Sequence, residues 1–390
     1  MFGMKHALCM PDYDNSILGI PSSILRHFGI KPHHKTLPDL DSLLAARPYK
    51  NIIMMIFDGM GSRLISDNLP PDSFLCKHKI RDIKSVFPST TTAATTSLYS
   101  GLSPKEHGWL GWQLYFKESE NFIRLYMSDD FYTGAPVDSY FKKHLGYAPI
   151  ADLVAKKHTA VNVHEICPEH YNSASGMGGA DTTRTKIGDI KKLGDLFSRM
   201  REICNSRGNN FVVAYWMDPD MQAHDTGTTS APVKSIMEEI DKGLAELKSE
   251  VKDTLIIVTA DHGHIDLSDD IVLDDYPRIM DYLEMPFQME YRAASFHVKP
   301  GCAAEFKEEF EKEFGEWFML VTRDDYLEKF IGPGVPHQRA GDFIGDFVAI
   351  AISDRMFRHT AELTRNGKFA SYHAGLTESE MLVPLIVIET

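Results

Sequence analysis

The stretch Asn51-Ile-Ile-Met-Met-Ile-Phe57, which runs directly into Asp58-Gly59, indicates the fold. Two later segments repeat this pattern of an apolar run that ends in acidic residues: Asn210 to Trp216 before Met217-Asp218-Pro219-Asp220, and Thr254 to Ala260 before Asp261-His262-Gly263. Continuous apolar runs of this length suit strands buried on both faces of a parallel sheet. Each run alone would also fit a buried segment of helix.

A helical pattern between the second and third runs favours the sheet. Apolar residues at a spacing of three and four predict an amphipathic helix from about Pro232 to Val251. A helix in this place can form the right-handed crossover between two parallel strands. Ligands of open α/β sheets gather beyond the carboxyl ends of the strands, so we expect the three acidic clusters to converge.

The character of the chain changes after the third cluster. Tyr291 to Val298 predicts a strand, a helix is expected to begin near Ala303, and Phe347 to Ile352 forms another apolar run. The last such run, Leu382 to Ile388, is expected to return to the first sheet.

We therefore predict an α/β fold with a mostly parallel central sheet and helices on both faces. Residues 1–265 and 366–390 would form the core that contains this sheet, which is also expected to bind metal, and residues 266–365 would form a smaller α+β cap insertion.

Composition narrows the class of protein. The 390 residues are 43% hydrophobic and 25% charged, as in an ordinary globular protein. A net charge of −14 argues against a partner such as a nucleic acid polymer, because backbone affinity depends on clustered Lys and Arg. Small anionic substrates remain compatible with that charge, because bound metal ions can supply positive charge locally.

Location and assembly are only partly indicated. The five cysteines include no C-x-x-C pair, which predicts buried thiols in a reducing compartment. Met1 to Met10 contains no apolar signal region, and no stretch approaches about 18 apolar residues. These features predict a cytoplasmic protein without membrane contact, whereas nothing indicates the oligomeric state.

The hydroxyl-rich stretch after Phe87-Pro88 offers candidate nucleophiles. Residues beyond Pro88 can open a helix that runs to about Ser100. The N-terminus of that helix favours an alkoxide and a phosphate oxygen, because free N–H groups and the helix dipole are positive there. A helix cap is the simpler role for such Ser and Thr residues. A hydroxyl nucleophile needs activation, and here a metal would have to supply it.

Candidate metal ligands accompany the strand ends. Asp220 and His224 stand four residues apart, Asp261 and His262 are adjacent, and His373 follows a short polar segment. Mixed carboxylate and imidazole ligands suit Zn²⁺ and, less tightly, Mn²⁺ or Fe.

The combined set resembles the nucleotide pyrophosphatase/phosphodiesterase branch of the alkaline phosphatase superfamily. The motifs that carry this resemblance are Asp58-Gly59, Phe87-Pro88 with Thr91, Gly101-Leu-Ser-Pro-Lys-Glu-His-Gly108, Asp220 with His224, Asp261-His262-Gly263 and His373. In the family the nucleophile lies three residues after the Phe-Pro pair and ten before that first Gly, and Thr91 satisfies both counts.

The resemblance also implies two metal sites. One would be held by Asp220, His224 and His373. The other would be held by Asp58, Asp261, His262 and the oxygen of Thr91. Asp218 competes with Asp220, but only Asp220 has the four-residue spacing to His224, and His264 is expected to have a supporting or structural role.

The substrate pocket is less well indicated. Thr92 and Trp112 are the candidate substrate-binding residues, and the aromatic stretch Trp109 to Phe116 would either line the pocket or pack in the core. Phosphodiesterases of the family that the chain resembles usually have an Asn three residues after the nucleophile, where it contacts a phosphate oxygen. This chain has Ala94 there, so the preference for diesters or monoesters stays open. No cation for a monoester can be assigned, although Arg63, Arg184 and Arg292 are possible.

The function that these residues imply is hydrolysis of phosphodiester or pyrophosphate-type bonds in a small substrate, such as a nucleotide derivative, through a phospho-threonine intermediate. The alternatives are a phosphomonoesterase or phosphonate hydrolase with the same two metals, and a catalytically silent metal-binding protein. A cofactor-independent phosphoglycerate mutase would use Ser at the position of Thr91.

Overall fold

A computed structural model describes residues 6–137, 144–168 and 184–390 of the chain. The first five residues of the segment Met1 to Met10 therefore lie outside the described residues. None of the helices described is long and apolar enough to cross a bilayer. All five cysteines are unpaired thiols, and Cys9, Cys167 and Cys204 are buried.

The strands, numbered in chain order, are β1 Asn51–Phe57, β2 Lys79–Lys84, β3 Gln113–Phe116, β4 Asn121–Arg124, β5 Asp129–Asp130, β6 Val161–Pro168, β7 Thr185–Ile190, β8 Asn209–Trp216, β9 Thr254–Thr259, β10 Ile265–Asp266, β11 Asp269–Val272, β12 Gln288–Met289, β13 Ala293–Phe296, β14 Phe318–Thr322, β15 Phe347–Ala351, β16 Arg355–Arg358, β17 Ser371–Tyr372 and β18 Leu382–Glu389.

The described α-helices are α1 Gly19–His27, α2 Pro38–Ala46, α3 Ser62–Asn68, α4 Phe74–His78, α5 Thr91–Ser100, α6 Pro104–His107, α7 Ile150–Lys157, α8 Leu193–Asn205, α9 Asp220–Thr226, α10 Ala231–Glu250, α11 Pro277–Asp281, α12 Ala303–Phe314, α13 Arg323–Lys329, α14 Ala340–Phe343, α15 Thr360–Asn366 and α16 Glu378–Met381.

The central sheet has seven strands in the order β2-β18-β9-β1-β8-β6-β7. The pairs from β9 to β7 are parallel, whereas β18 runs antiparallel to both β9 and β2. Every residue of β1 and β9 is buried, as expected for strands covered on both faces. The predicted α/β fold with a mostly parallel central sheet is therefore confirmed, and Leu382–Glu389 does return to that sheet.

Helix α10 confirms the predicted crossover between the second and third apolar runs. It spans Ala231–Glu250, starts at a Ser230 cap, and buries Val233, Ile240 and Leu244 on one face. Its apolar stripe packs into the same core cluster as β1 and β9. The crossover therefore brings β9 back parallel to β1, which places the three acidic strand ends at one edge.

A second seven-stranded sheet follows the order β14-β15-β13-β12-β3-β4-β5, and its pairs are antiparallel. Strands β12 to β15 come from the predicted insertion 266–365, and helix α12 begins at Ala303 as expected. Strands β3 to β5, however, come from residues 113–130, which the predicted division assigned to the core. The division at 266 and 365 stays a prediction, but the second sheet is built from two separate parts of the chain.

Candidate active site

Three adjacent strands of the central sheet deliver the acidic residues. In register, Phe57 lies opposite Trp216 and Ile56 lies opposite Thr259, so β1, β8 and β9 end at the same level. Asp58 follows β1 directly, Asp220 opens α9 after β8, and Asp261 lies two residues beyond β9. The predicted convergence of the three clusters at the carboxyl edge is thus observed.

The structure brings the predicted ligands together in two groups. Asp220, His224 and His373 form one, and Asp58, Asp261 and His262 form the other; within each group, one ligand atom from every residue lies within 4.8 Å of the others. Asp218 belongs to neither group. His264 forms a further group with Asp220 and His262.

Unsatisfied carboxylate oxygens indicate that the second group fits a cation. Asp58 Oδ1 and Asp261 Oδ2 are buried without a hydrogen-bond partner, and both face His262 Nε2, at 3.3 and 3.4 Å. Buried carboxylates without a partner are costly, so such oxygens normally bind a cation or a donor. Asp and His donors that converge in this way match the ligand chemistry of Zn²⁺.

The orientation of two imidazole rings indicates that the first group, too, fits a cation. His224 Nδ1 lies 2.9 Å from the carbonyl of Ser371, and His373 Nδ1 lies 3.2 Å from the carbonyl of Ser89. Because a backbone carbonyl can accept the proton of each Nδ1, each Nε2 could bind a cation together with Asp220, whose Oδ1 lies 3.4 Å from His224 Nε2 and 3.7 Å from His373 Nε2. Metal-binding histidines are typically held in this manner by the other ring nitrogen.

His264 contacts Asp220 of the first group and also Ser371. Its Nε2 lies 2.6 Å from Asp220 Oδ1, and its Nδ1 contacts the hydroxyl of Ser371 at 3.0 Å. Burial lowers the pKa of His264 to about 4, so the ring is neutral near pH 7. A neutral ring that donates a hydrogen bond to Asp220 holds the carboxylate in place, and the negative charge of that carboxylate stays available to a cation.

The buried acids differ in their electrostatics. Burial, together with the charges of Asp261 and Asp220, raises the pKa of Asp58 well above its usual value. Burial also opposes ionisation of Asp220, but the charge of His224 and the hydrogen bonds from His224 and His264 outweigh it and hold the pKa of Asp220 well below its usual value. Asp58 thus carries an unfavourable charge that a nearby cation would stabilise.

Thr91 lies in the first turn of α5, next to the second group of predicted ligands. Its Oγ1 lies 3.1 Å from His262 Nε2, and the residue is only 4% exposed. Thr90 is the N-cap residue, but its hydroxyl makes no capping bond and donates instead to Glu290 Oε1 at 2.7 Å. The hydroxyls before the helix are therefore not used as ordinary caps, and that of Thr91 faces the predicted ligands.

A cavity of about 280 Å³ opens beside these groups. Residues of α5, of β4 and of several loops line it, among them Thr91, Trp112, Arg124, Glu290, Phe369 and His373. Trp112 stacks on Tyr126 with ring centroids 5.9 Å apart. Of the aromatic stretch, Trp112 therefore lines the pocket, whereas Trp109 and Phe116 are buried in the core. Thr92 is fully buried and is not among the described residues that line the cavity.

A family profile described as type I phosphodiesterase / nucleotide pyrophosphatase matches residues 52–374. The chain belongs to this family. The resemblance to this branch of the alkaline phosphatase superfamily is confirmed, and with it the assignment of the chain as an enzyme that hydrolyses phosphoric esters. None of the curated proteins searched matches the sequence.

Solved structures share the fold at low sequence identity. Murine ectonucleotide pyrophosphatase / phosphodiesterase 5 is 17% identical, with a TM-score of 0.63 over 87% of this chain and 88% of that one. An inactive form of the same murine protein in complex with AMP has a TM-score of 0.61, also at 17% identity, over 86% of this chain and 87% of that one. Phosphonoacetate hydrolase from Sinorhizobium meliloti 1021 in complex with phosphonoformate is 18% identical, with a TM-score of 0.63 over 87% and 90%.

The cations considered from the sequence lie elsewhere. Arg184 is buried against Asp152 and Glu165, Arg292 is buried against Glu380, and Arg63 is exposed beside Asp67. None of these three lines the cavity.

Sequence reasoning missed three side chains. Arg124 lines the cavity while its Nε donates to Asp129 at 2.7 Å. Glu290 lies at the cavity wall, and the hydroxyl of Tyr215 donates to Asp58 Oδ2. Arg124 ends β4 of the second sheet, Glu290 lies in the turn between β12 and β13, and no local motif marks either of them. Tyr215 lies one residue before the end of β8, within an apolar run that only suggested burial.

Proposed function

We propose that this protein cleaves phosphodiester or pyrophosphate-type bonds of a small substrate, such as a nucleotide derivative, through a phospho-threonine intermediate. The observation that carries the proposal is the position of the Thr91 hydroxyl, 3.1 Å from His262 and at the wall of the cavity. In this position the groups around His262 can activate the hydroxyl on one side, and the oxygen can attack a phosphorus atom that lies in the cavity on the other side.

Two divalent ions would complete the site, with Zn²⁺ preferred over Mn²⁺ or Fe. Asp220, His224 and His373 would hold one ion, and the second would be held by Asp58, Asp261, His262 and the oxygen of Thr91. When bound, such ions supply positive charge that favours the alkoxide form of the hydroxyl and offsets charge on the phosphoryl oxygens.

The residues of the chain position the reaction. Thr91 Oγ1 attacks phosphorus, a P–O bond to the leaving group breaks, and phospho-threonine forms. Water then attacks the same phosphorus, which releases phosphate or its ester and restores the hydroxyl. The free N–H groups at the start of α5 can donate to a phosphoryl oxygen during both steps.

A direct comparison of substrates tests this proposal. Metal-analysed protein with added Zn²⁺ or Mn²⁺ is assayed with bis-p-nitrophenyl phosphate and with p-nitrophenyl phosphate. We expect faster cleavage of the diester and loss of turnover with a chelator. Turnover that persists after the metal has been removed would contradict the proposal.

A second candidate is hydrolysis of a phosphomonoester or a phosphonate by the same groups, and Arg124 favours it. Substrates with an additional anionic charge need a cation near the site, and the guanidinium of Arg124 lines the cavity. Its ion pair with Asp129 offsets part of that charge, so we rank this candidate second. Faster release of p-nitrophenol from p-nitrophenyl phosphate, or of phosphate from phosphonoacetate, than of the first p-nitrophenol from the diester would reverse the order.

A further inference from the structure

Glu290 lines the cavity, and one of its two buried carboxyl oxygens has no hydrogen-bond partner. The other oxygen, Oε1, accepts hydrogen bonds from the Thr90 hydroxyl at 2.7 Å and from the Trp112 amide at 2.6 Å. Oε2 has no hydrogen-bond partner, although the residue is only 1% exposed and lines the cavity beside Thr91. A buried polar atom that faces a cavity without a partner calls for a ligand group.

The backbone around Glu290 is constrained to hold it there. Met289 adopts a φ of 77°, a left-handed conformation that is unfavourable for a residue with a long side chain. Opposite it, a Cβ on Gly111 would lie 2.5 Å from Met289 Cα, so only glycine permits this approach. Conformations of this kind concentrate at functional sites, because the surrounding structure must maintain them.

The hydrogen bonds indicate which form of Glu290 suits the cavity. With two donors on Oε1, that atom takes the role of a carbonyl oxygen, and the proton of a neutral carboxylic acid resides on Oε2. An ionised Oε2 would instead face the phosphoryl oxygens of an anionic substrate with like charge. Burial, in addition, raises the pKa of Glu290 to about 7.

We propose that neutral Glu290 donates a hydrogen bond from Oε2 to a phosphoryl oxygen of the substrate held at Thr91. The inference rests on the proposed function, because it assumes that a phosphoryl group occupies this part of the cavity. It adds a substrate contact from the turn between β12 and β13, next to the helix that carries the proposed nucleophile.

Two variants at this position test the contact. Glu290→Gln keeps an acceptor for Thr90 and Trp112 and places an amide donor where Oε2 lies. Glu290→Leu has a similar size and neither group. Inorganic phosphate is titrated calorimetrically into each Zn²⁺-loaded variant and into the wild-type enzyme. We expect the Kd of Glu290→Gln to stay within about threefold of wild type and that of Glu290→Leu to rise about tenfold or more.

Metal content and thermal midpoint are measured on the same samples. They identify any loss of binding that follows from lost metal or an unfolded chain. Should Glu290→Leu fail to fold, Glu290→Asp withdraws the carboxyl group by one methylene and should weaken phosphate binding in the same direction. Unchanged phosphate binding in a folded Leu or Asp variant, or binding by the Gln variant as weak as that by the Leu variant, would overturn the inference.

Turnover by the wild-type enzyme separates this inference from the proposed function. Phosphate binding with the expected pattern among the variants, but no cleavage of any ester, would refute the proposed function and leave the Glu290 contact in place. A two-metal wild-type enzyme that cleaves esters but does not bind phosphate would overturn the Glu290 contact and leave the proposed function in place.

Discussion

At the scale of single residues, Thr91 is distinguished from its neighbours by what surrounds each hydroxyl. Thr90 donates to Glu290, and the Thr92 side chain is buried without a hydrogen-bond partner. Thr91 alone of the three contacts His262. The family spacing and the geometry therefore select the same residue by independent criteria.

Thr91→Ala should reduce turnover by about a thousandfold or more, because the nucleophile is removed while the surrounding groups remain. Zn²⁺ content should stay near that of wild type, since Asp58, Asp261 and His262 are unchanged. Release of p-nitrophenol and metal analysis measure the two effects.

Thr96→Ala provides a matched control, because Thr96 is also buried in α5 but does not line the cavity. Its turnover should be close to that of wild type, and Thr91→Ser should recover part of the lost rate. Rates near those of wild type in Thr91→Ala would exclude the nucleophilic role.

At the scale of elements, the sequence predicted those parts that depend on local pattern. Strands β1, β8 and β9 each contain a continuous apolar run and are followed by acidic residues, so both the sheet and its ligand edge could be inferred. Strands β3 and β4 are only four residues long, and the sequence shows no clear alternation in either, so their membership of the second sheet could not be inferred. Glu290 and Arg124 were missed for that reason, because only tertiary pairing brings them to α5.

Helix α6 gives a prediction at this scale. The imidazole of His107 is buried between α5 and the turn that follows, with Nε2 3.1 Å from the Ser97 hydroxyl and Nδ1 accepting from the Trp109 amide at 3.0 Å. Burial lowers the pKa of His107 to about 3. The unfolded chain takes up a proton below about pH 6.5 and the folded chain does not, so this histidine reduces stability as the pH falls from about 6.5 toward 3.

His107→Asn should remove this component of the pH dependence, because the Asn amide can still accept from Trp109 but does not titrate. Between pH 7 and pH 5, the free energy of unfolding of wild type should fall by about 2 kcal/mol more than that of the variant. Urea unfolding in the presence of chelator measures the difference without a contribution from metal release. Parallel curves for the two proteins would show that His107 does not carry this linkage.

At the scale of the whole molecule, the acidic chain concentrates negative charge at the carboxyl edge of its central sheet. Asp58, Asp220 and Asp261 are each less than 10% exposed, and the strands that carry them all end at the same edge. Three such carboxylates without a counter-charge oppose folding, whereas two divalent ions would reverse the local charge. The metals proposed for catalysis should therefore also hold the fold together.

Chelation should consequently lower the thermal midpoint by about 5–10 °C. A ligand present at 100 times its Kd adds about 2.7 kcal/mol, and 1 kcal/mol shifts the midpoint of a larger domain by about 2–4 °C. Added Zn²⁺ should restore the midpoint. In His373→Ala, the group of Asp58, Asp261 and His262 is intact, so the variant should keep about half of the metal and a smaller chelator effect. A midpoint that does not change when the metal is removed would mean that the folded chain tolerates the three buried carboxylates without a bound cation. Equal occupancy of both metal sites in His373→Ala would exclude His373 as a ligand.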